Sequence, residues 1–143
     1  MKKIILGIII LLVAGFIILQ LVPYGRNHAD PAVVAEPNWD SPQTRELASR
    51  ACFDCHSNET VWPWYSNIAP VSWLVQHDVD EGRSRLNFSE WGTGRFDEPW
   101  EIGEAISRGQ MPPSKYTAMH PYARLTQTEK QSLIDGFQAT IRQ

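Results

Sequence analysis

The sequence predicts an all-α protein, a small helical domain behind one N-terminal membrane-spanning helix. Three observations predict it. Ile4 to Val22 is a run of 19 residues in which only Gln20 is polar. Beyond it, helix start and stop signals bracket apolar residues at helical spacing, and no stretch alternates as a strand would. The only two cysteines of the 143 residues stand together as Cys52-Phe53-Asp54-Cys55-His56.

The apolar run would form about 28 Å of helix, close to the roughly 30 Å hydrocarbon thickness of a bilayer. Lys2 and Lys3 precede it, and no Ala-x-Ala cleavage site or lipobox cysteine follows. This favours an uncleaved anchor over a cleaved signal. The lysines on the short side keep the N-terminus in the cytoplasm and export the rest. The expected organisation is an anchor over residues 1–25, a linker over 26–40 and a domain over 41–143. Pro23, Gly25, Pro31 and Pro37 punctuate the approach to the domain.

Ser41-Pro42 starts the first helix of the domain, with serine as cap and proline at the first helical position. Leu47, Ala48, Ala51 and Cys52 lie along one face of it. Pro63 and Pro70 then forbid a continuous helix through an aromatic segment that holds Trp62, Trp64 and Tyr65. A second helix runs from Pro70 to about Gly82, with Val71, Leu74, Val75 and Val79 as its apolar stripe. A loop follows, from which Phe88, Trp91 and Phe96 turn inward. A third helix starts at Asp97 or Glu98 before Pro99 and ends at Gly109. The last opens on the capping box Thr126-Gln127-Thr128-Glu129 and carries Leu133, Ile134, Phe137 and Ile141 on one face.

The cysteine pentad carries the chemistry. Two thiols separated by two residues can each add across a vinyl group of one haem, and the next histidine reaches the iron from the same side. Cys-x-x-Cys alone also serves redox dithiols and zinc sites. The first expects a βαβ pattern, which is lacking, and the second expects further ligands, whereas His28, His77 and His120 are scattered. Backbone carbonyls near Pro63 are expected to accept a hydrogen bond from the far nitrogen of His56 and so fix its ring. Trp62 and Trp64 are expected to wall the cofactor, although they would serve equally as ordinary core aromatics.

The opposite face of the iron decides what a haem protein does. Met111 is the first choice of sixth ligand, because it follows a helix end and precedes Pro112-Pro113. Met119 is its rival. His120 or His77 would give a bis-histidine iron, and the site could also be open.

The chain has 13 basic and 16 acidic residues. Its first 29 residues hold three of the bases and none of the acids, so the domain is distinctly acidic. That argues against nucleic acid, whose readers carry a basic footprint. It permits docking to a basic patch on a redox protein.

Cys52-x-x-Cys55-His56, Gly109-Gln110-Met111-Pro112-Pro113 and the helix after Leu125-Thr126 together resemble a class I c-type cytochrome. A narrower resemblance runs through Ala51 to Thr60, Trp62 to Ser66, Ala69 to Trp73 and Met111-Pro112-Pro113. These residues resemble the bacterial haem-binding domain family, and the likeness covers nearly all of residues 30–143. It implies a small cytochrome c-like helical domain around one haem c, held covalently through Cys52 and Cys55. It also implies His56 as the proximal and Met111 as the distal ligand.

The function expected is single-electron transfer between exported or membrane redox partners. The chain would sit in a bacterial inner membrane, single pass, with the haem domain on the periplasmic side. No catalytic group is required, and an enzyme is not expected. The alternatives are a haem-based gas or redox sensor and a peroxidase-like enzyme, both of which need an open or displaceable distal site.

Overall fold

A computed structural model describes residues 1–93 and 100–142. The protein is all-helical, with helices α1 (Lys2–Leu19), α2 (Pro42–Ala51), α3 (Phe53–His56), α4 (Val71–Arg85), α5 (Trp100–Ser107), α6 (Ser114–Met119) and α7 (Gln127–Ile141). Two short 3-10 turns cover Trp64–Asn67 and Pro121–Ala123. Among the described residues there is no strand, only an isolated bridge between Ala35 and Glu90.

The helix starts follow local chemistry. Ser41 Oγ accepts from Thr44 N, with Pro42 at the first position of α2. At α7 both halves of the capping box form: Thr126 Oγ1 accepts from Glu129 N, and the Glu129 carboxylate accepts from Thr126 N. Gly109 ends the α5 region at φ 68°, the left-handed conformation that glycine reaches without a Cβ clash.

Four helices were expected behind the apolar one, and α3 and α6 come in addition. Each is too short for a hydrophobic period to register. The start of α5 at Asp97 to Pro99, and Phe96, lie outside the described residues.

The chain forms two compact units that interleave in sequence. One holds residues 1–29 and 62–80, the other 30–61 and 81–143. Residues 62–80 thus group with the apolar helix rather than with the rest of 41–143.

In the first unit, α1 is apolar all round and none of its residues is buried. The Gln20 side chain closes a two-bond pair with the backbone of Ala69: Nε2 donates to the Ala69 carbonyl at 2.8 Å, and Ala69 N donates to Oε1 at 3.0 Å. A Cβ on Gly25 would lie 2.4 Å from the Ser72 carbonyl, so only glycine permits this approach. Ser66, Ala69, Ser72 and Val79 are buried. The stripe expected to face inward does so only in part: Val79 is buried and Val75 partly so, whereas Val71 is 43% and Leu74 50% exposed. The backbone of Gly25 comes close at the small residue Ser72, and that side of α4 turns in together with Val79, leaving Val71 and Leu74 outside.

In the second unit, the core is Leu47, Ala48, Phe53, Phe88, Ile106, Leu133 and Phe137, with Trp39, Trp91, Ile102, Met111 and Leu125 packed around it. Rings dominate: Phe88 stacks at 5.5 Å on Phe53 and 5.6 Å on Phe137, and Trp39 lies 5.4 Å from Phe88. Trp39 comes from the stretch read as linker, where its indole donates to Glu36 at 3.0 Å. Helix α7 packs on α5 and α2. At the second contact, a Cβ on Gly136 would overlap the Thr44 side chain, so α2 packs that side chain directly on the α7 backbone.

Candidate haem site

The pentad sits at the junction of α2 and α3. Cys52 ends α2, its N donating to Ala48 O at 2.8 Å. The single turn of α3 is held by Cys55 N and His56 N, which both donate to Cys52 O. Between the cysteines, Phe53 is buried in the aromatic core. The turn is thereby pinned from inside, while Cys52, Cys55 and His56 stay only partly buried. Cys52 and Cys55 are not joined by a disulfide.

His56 is oriented from behind. Its Nδ1 lies 3.0 Å from the Gly82 carbonyl and 3.1 Å from the Leu86 carbonyl. Carbonyls only accept, so Nδ1 must carry the proton, which leaves the Nε2 lone pair free for a metal. The acceptors come from the end of α4 and the residue just beyond it, not from the segment near Pro63 as expected. The reason is Gly82, where a Cβ would lie 2.3 Å from the Cys55 carbonyl oxygen. With no side chain there, the helix backbone lies directly on the pentad and its terminal carbonyls reach the imidazole. Burial holds the His56 pKa below the ordinary imidazole value, against the two carbonyl hydrogen bonds, which raise it.

A buried polar network secures the chain after the pentad. Asn58 N donates to Ser89 Oγ at 2.9 Å, and Asn87 Nδ2 to Asn58 Oδ1 at 2.8 Å. Arg83 donates to Ser57 O, Thr60 Oγ1 and Asp30. Phe88 N donates to His56 O at 2.7 Å.

Asp54 is the other fixed point. Its Oδ1 accepts from Val61 N at 3.0 Å, and its Oδ2 accepts from Tyr116 Oη at 2.6 Å and Tyr122 Oη at 3.4 Å. Burial and the adjacent carboxylate push the Tyr116 hydroxyl pKa well up, so it stays a donor. The buried His120 ring stacks on Tyr116 at 4.4 Å, and its Nδ1 lies 2.8 Å from Tyr122 Oη. The segment after Met111 is thus tied to the pentad through its own Asp54.

Met111 is half-buried against the core cluster that Cys52 and Leu86 also touch. Its N donates to Ala105 O at 3.1 Å, which ties it to the end of α5. Met119 is 61% exposed and closes α6. His77 is exposed on α4. Trp62 and Trp64 fall in the other unit. There Trp62 stacks on His28 at 4.4 Å, and Trp64 is 75% exposed.

The donor set fits a haem. Burial and the neighbouring Cys55 push the Cys52 thiol up to about 12. This is opposite to the lowered value of a redox-active dithiol. Among the described residues, no three His, Cys, Asp or Glu side chains converge as a zinc site would require. Two cysteine side chains thus stand on one turn beside an imidazole whose Nε2 lone pair is not used by the backbone carbonyls.

Residues 14–139 match the family described as the haem-binding domain. The chain belongs to that family. It is therefore a haem protein, and the sequence resemblance to the haem-binding domain family holds over most of its length. No curated protein and no solved structure matches it. The parts of this haem-binding domain that sequence reasoning missed are Gly82, the Leu86 carbonyl, and Asp54 with Tyr116 and Tyr122. A glycine within a helix costs about 1 kcal/mol against alanine, so Gly82 itself was a signal. The Asp54–Tyr116 pair spans 62 positions and leaves no local trace.

Proposed function

We propose that this haem protein is a membrane-anchored carrier of single electrons, with its domain on the exported side of a bacterial inner membrane. Cys52 and Cys55 hold one haem through thioethers, and His56 Nε2 is the proximal ligand. The observation that carries this reading is the His56 ring, whose Nδ1–H is committed to two backbone carbonyls.

When bound, the haem supplies a ferric/ferrous couple that takes up and returns one electron. The protein's part is to hold geometry. Carbonyls on His56 Nδ1–H strengthen the donor and stop the ring from rotating. Phe53, Phe88 and Trp39 keep water from the inner side of the pentad. Met111 is the distal ligand of choice, because its backbone is tethered to α5 and its side chain lies on the cluster that contains Cys52. Exposed Met119 would have to leave solvent, and His120 already has Tyr116 and Tyr122. The close α2–α7 packing supports kinship with class I c-type cytochromes. The apolar helix α1 supports anchoring. The acidic domain suits redox partners with basic patches.

The test is the optical spectrum of the holo-protein in both oxidation states, with and without carbon monoxide. A six-coordinate low-spin iron with a methionine-to-ferric charge-transfer band and little gas binding is expected. Met111→Ala should abolish that band. A five-coordinate iron that takes the gas readily would turn the reading toward a sensor or a peroxidase-like enzyme.

A further inference from the structure

We propose that residues 64–74 form a second membrane contact, an apolar seat on the outer surface of the same bilayer that α1 crosses. This inference rests on the anchor reading above. It assigns Trp64 to lipid rather than to a cofactor wall.

The first observation is an apolar surface that the fold leaves open. Trp64, Ile68, Val71 and Leu74 are 75%, 36%, 43% and 50% exposed. Val71 and Leu74 are three apart on α4 and therefore share a face. Further along that helix the exposed positions become His77 and Asp80. Polarity thus rises along the helix away from its start, as it would in a helix that begins at a lipid surface and leaves it.

The second observation fixes the depth of this surface. Helix α1, at about 27 Å, is long enough to span the hydrocarbon and ends at Leu19. Gln20, the next residue, is the one polar side chain in the apolar run. Its amide is fully engaged: Nε2 donates to Ala69 O and Phe16 O, and Oε1 accepts from Ala69 N and from Arg26. Ala69 is thereby pinned to the edge of the span. Ile68 and Val71 stand within one turn of it, at headgroup depth. Arg26, held at the same amide, suits phosphate headgroups. An exposed tryptophan beside Tyr65 at that depth is the side-chain chemistry that membrane interfaces favour.

The occupant is thus lipid rather than a protein groove partner. The surface is tied to the end of the span through Gln20 and Ala69, and its side chains are the apolar and aromatic types that lie at the headgroup boundary.

The experiment places the photoreactive residue p-benzoylphenylalanine, one site at a time, in the full-length holo-protein. The protein is reconstituted in phosphatidylethanolamine–phosphatidylglycerol vesicles. The sites are Ile10, Trp64, Val71, Leu74 and Asp135, all exposed, so that the substitutions leave packing intact. Lipid adducts are read by mass spectrometry. Adducts at Ile10, Trp64, Val71 and Leu74 and none at Asp135 are expected. Gln20→Leu should lower the yield at Leu74 severalfold while leaving that at Ile10 unchanged. Adducts at Ile10 but not at Trp64, Val71 or Leu74 overturn the seat and leave the anchor standing. Absence of adducts at Ile10 as well overturns both. In native membranes, a protein adduct at Leu74 in place of lipid also overturns the seat.

Discussion

Gly82 lies so close to Cys55 that a Cβ on it would sit 2.3 Å from the Cys55 carbonyl oxygen. The contact is backbone on backbone, so no side chain can yield. It sets the distance between α4 and the pentad, and with it the reach of the Gly82 and Leu86 carbonyls to His56 Nδ1. The orientation of the His56 ring therefore depends on a missing side chain.

Gly82→Ala should cost about 1–3 kcal/mol, the usual range for overpacking, and should disturb proximal ligation. The control is Gly103→Ala, where the new Cβ would meet only Ile134 Cγ2 at 3.4 Å. That variant gains helix propensity and should be neutral or more stable by up to about 1 kcal/mol. Denaturant unfolding of the two holo-variants, read beside the Soret band, checks the opposite signs. Equal stability in both would mean that the Gly82 contact carries no constraint.

His56→Ala removes the proposed proximal donor while both cysteines remain. Haem attachment should persist, and the low-spin spectrum should be lost. The optical spectrum of purified protein decides. A normal low-spin iron in that variant would show that another residue provides the ligand.

The pentad, the helix caps at Ser41 and Thr126 and the apolar first helix were legible in the sequence, because each depends on residues within a few positions of one another. Three things were not, or not fully. The inward face of α4 was legible only in part: Val79 is buried as its spacing implies, but close backbone approach at Ser72 and Gly82 leaves Val71 and Leu74 outside. The acceptors for His56 were placed near Pro63, since nothing local to the pentad says which distant carbonyls will arrive. Helix α6 was missed because six residues carry too little period, and its role emerges only when Tyr116 meets Asp54.

Glu129 gives a pH prediction. Its carboxylate accepts from Thr126 N and pairs with Arg50, and these contacts, the backbone one first, lower its pKa from 4.5 to about 2. A carboxyl depressed in the folded state contributes stability above its unfolded value and loses it as pH falls toward the folded one. The native protein should therefore lose stability between about pH 4.5 and 2, and Glu129→Gln should flatten that slope while being less stable at neutral pH. Thr126→Ala, which removes the other half of the box, should cost about 1 kcal/mol. Thermal unfolding across pH tests both; a slope unchanged in Glu129→Gln would assign the acid sensitivity elsewhere.

Tyr116 gives the last prediction. Its hydroxyl donates to Asp54 Oδ2 at 2.6 Å and joins the segment after Met111 to the pentad. Tyr116→Phe keeps the ring and its stack on His120 but deletes that bond. A hydrogen bond to a charged acceptor contributes about 1.5–3 kcal/mol, and Asp54 would keep Val61 N and the longer Tyr122 contact. The holo-variant should unfold more easily by about 1–2 kcal/mol, with its low-spin spectrum at ambient temperature intact. On warming, the methionine-to-ferric band should fade before global unfolding, because the loop that presents Met111 is released first. Asp54→Asn should weaken the same tie less, since an amide oxygen still accepts. Loss of the band only together with global unfolding in Tyr116→Phe would show that the tie stabilises the fold without positioning Met111.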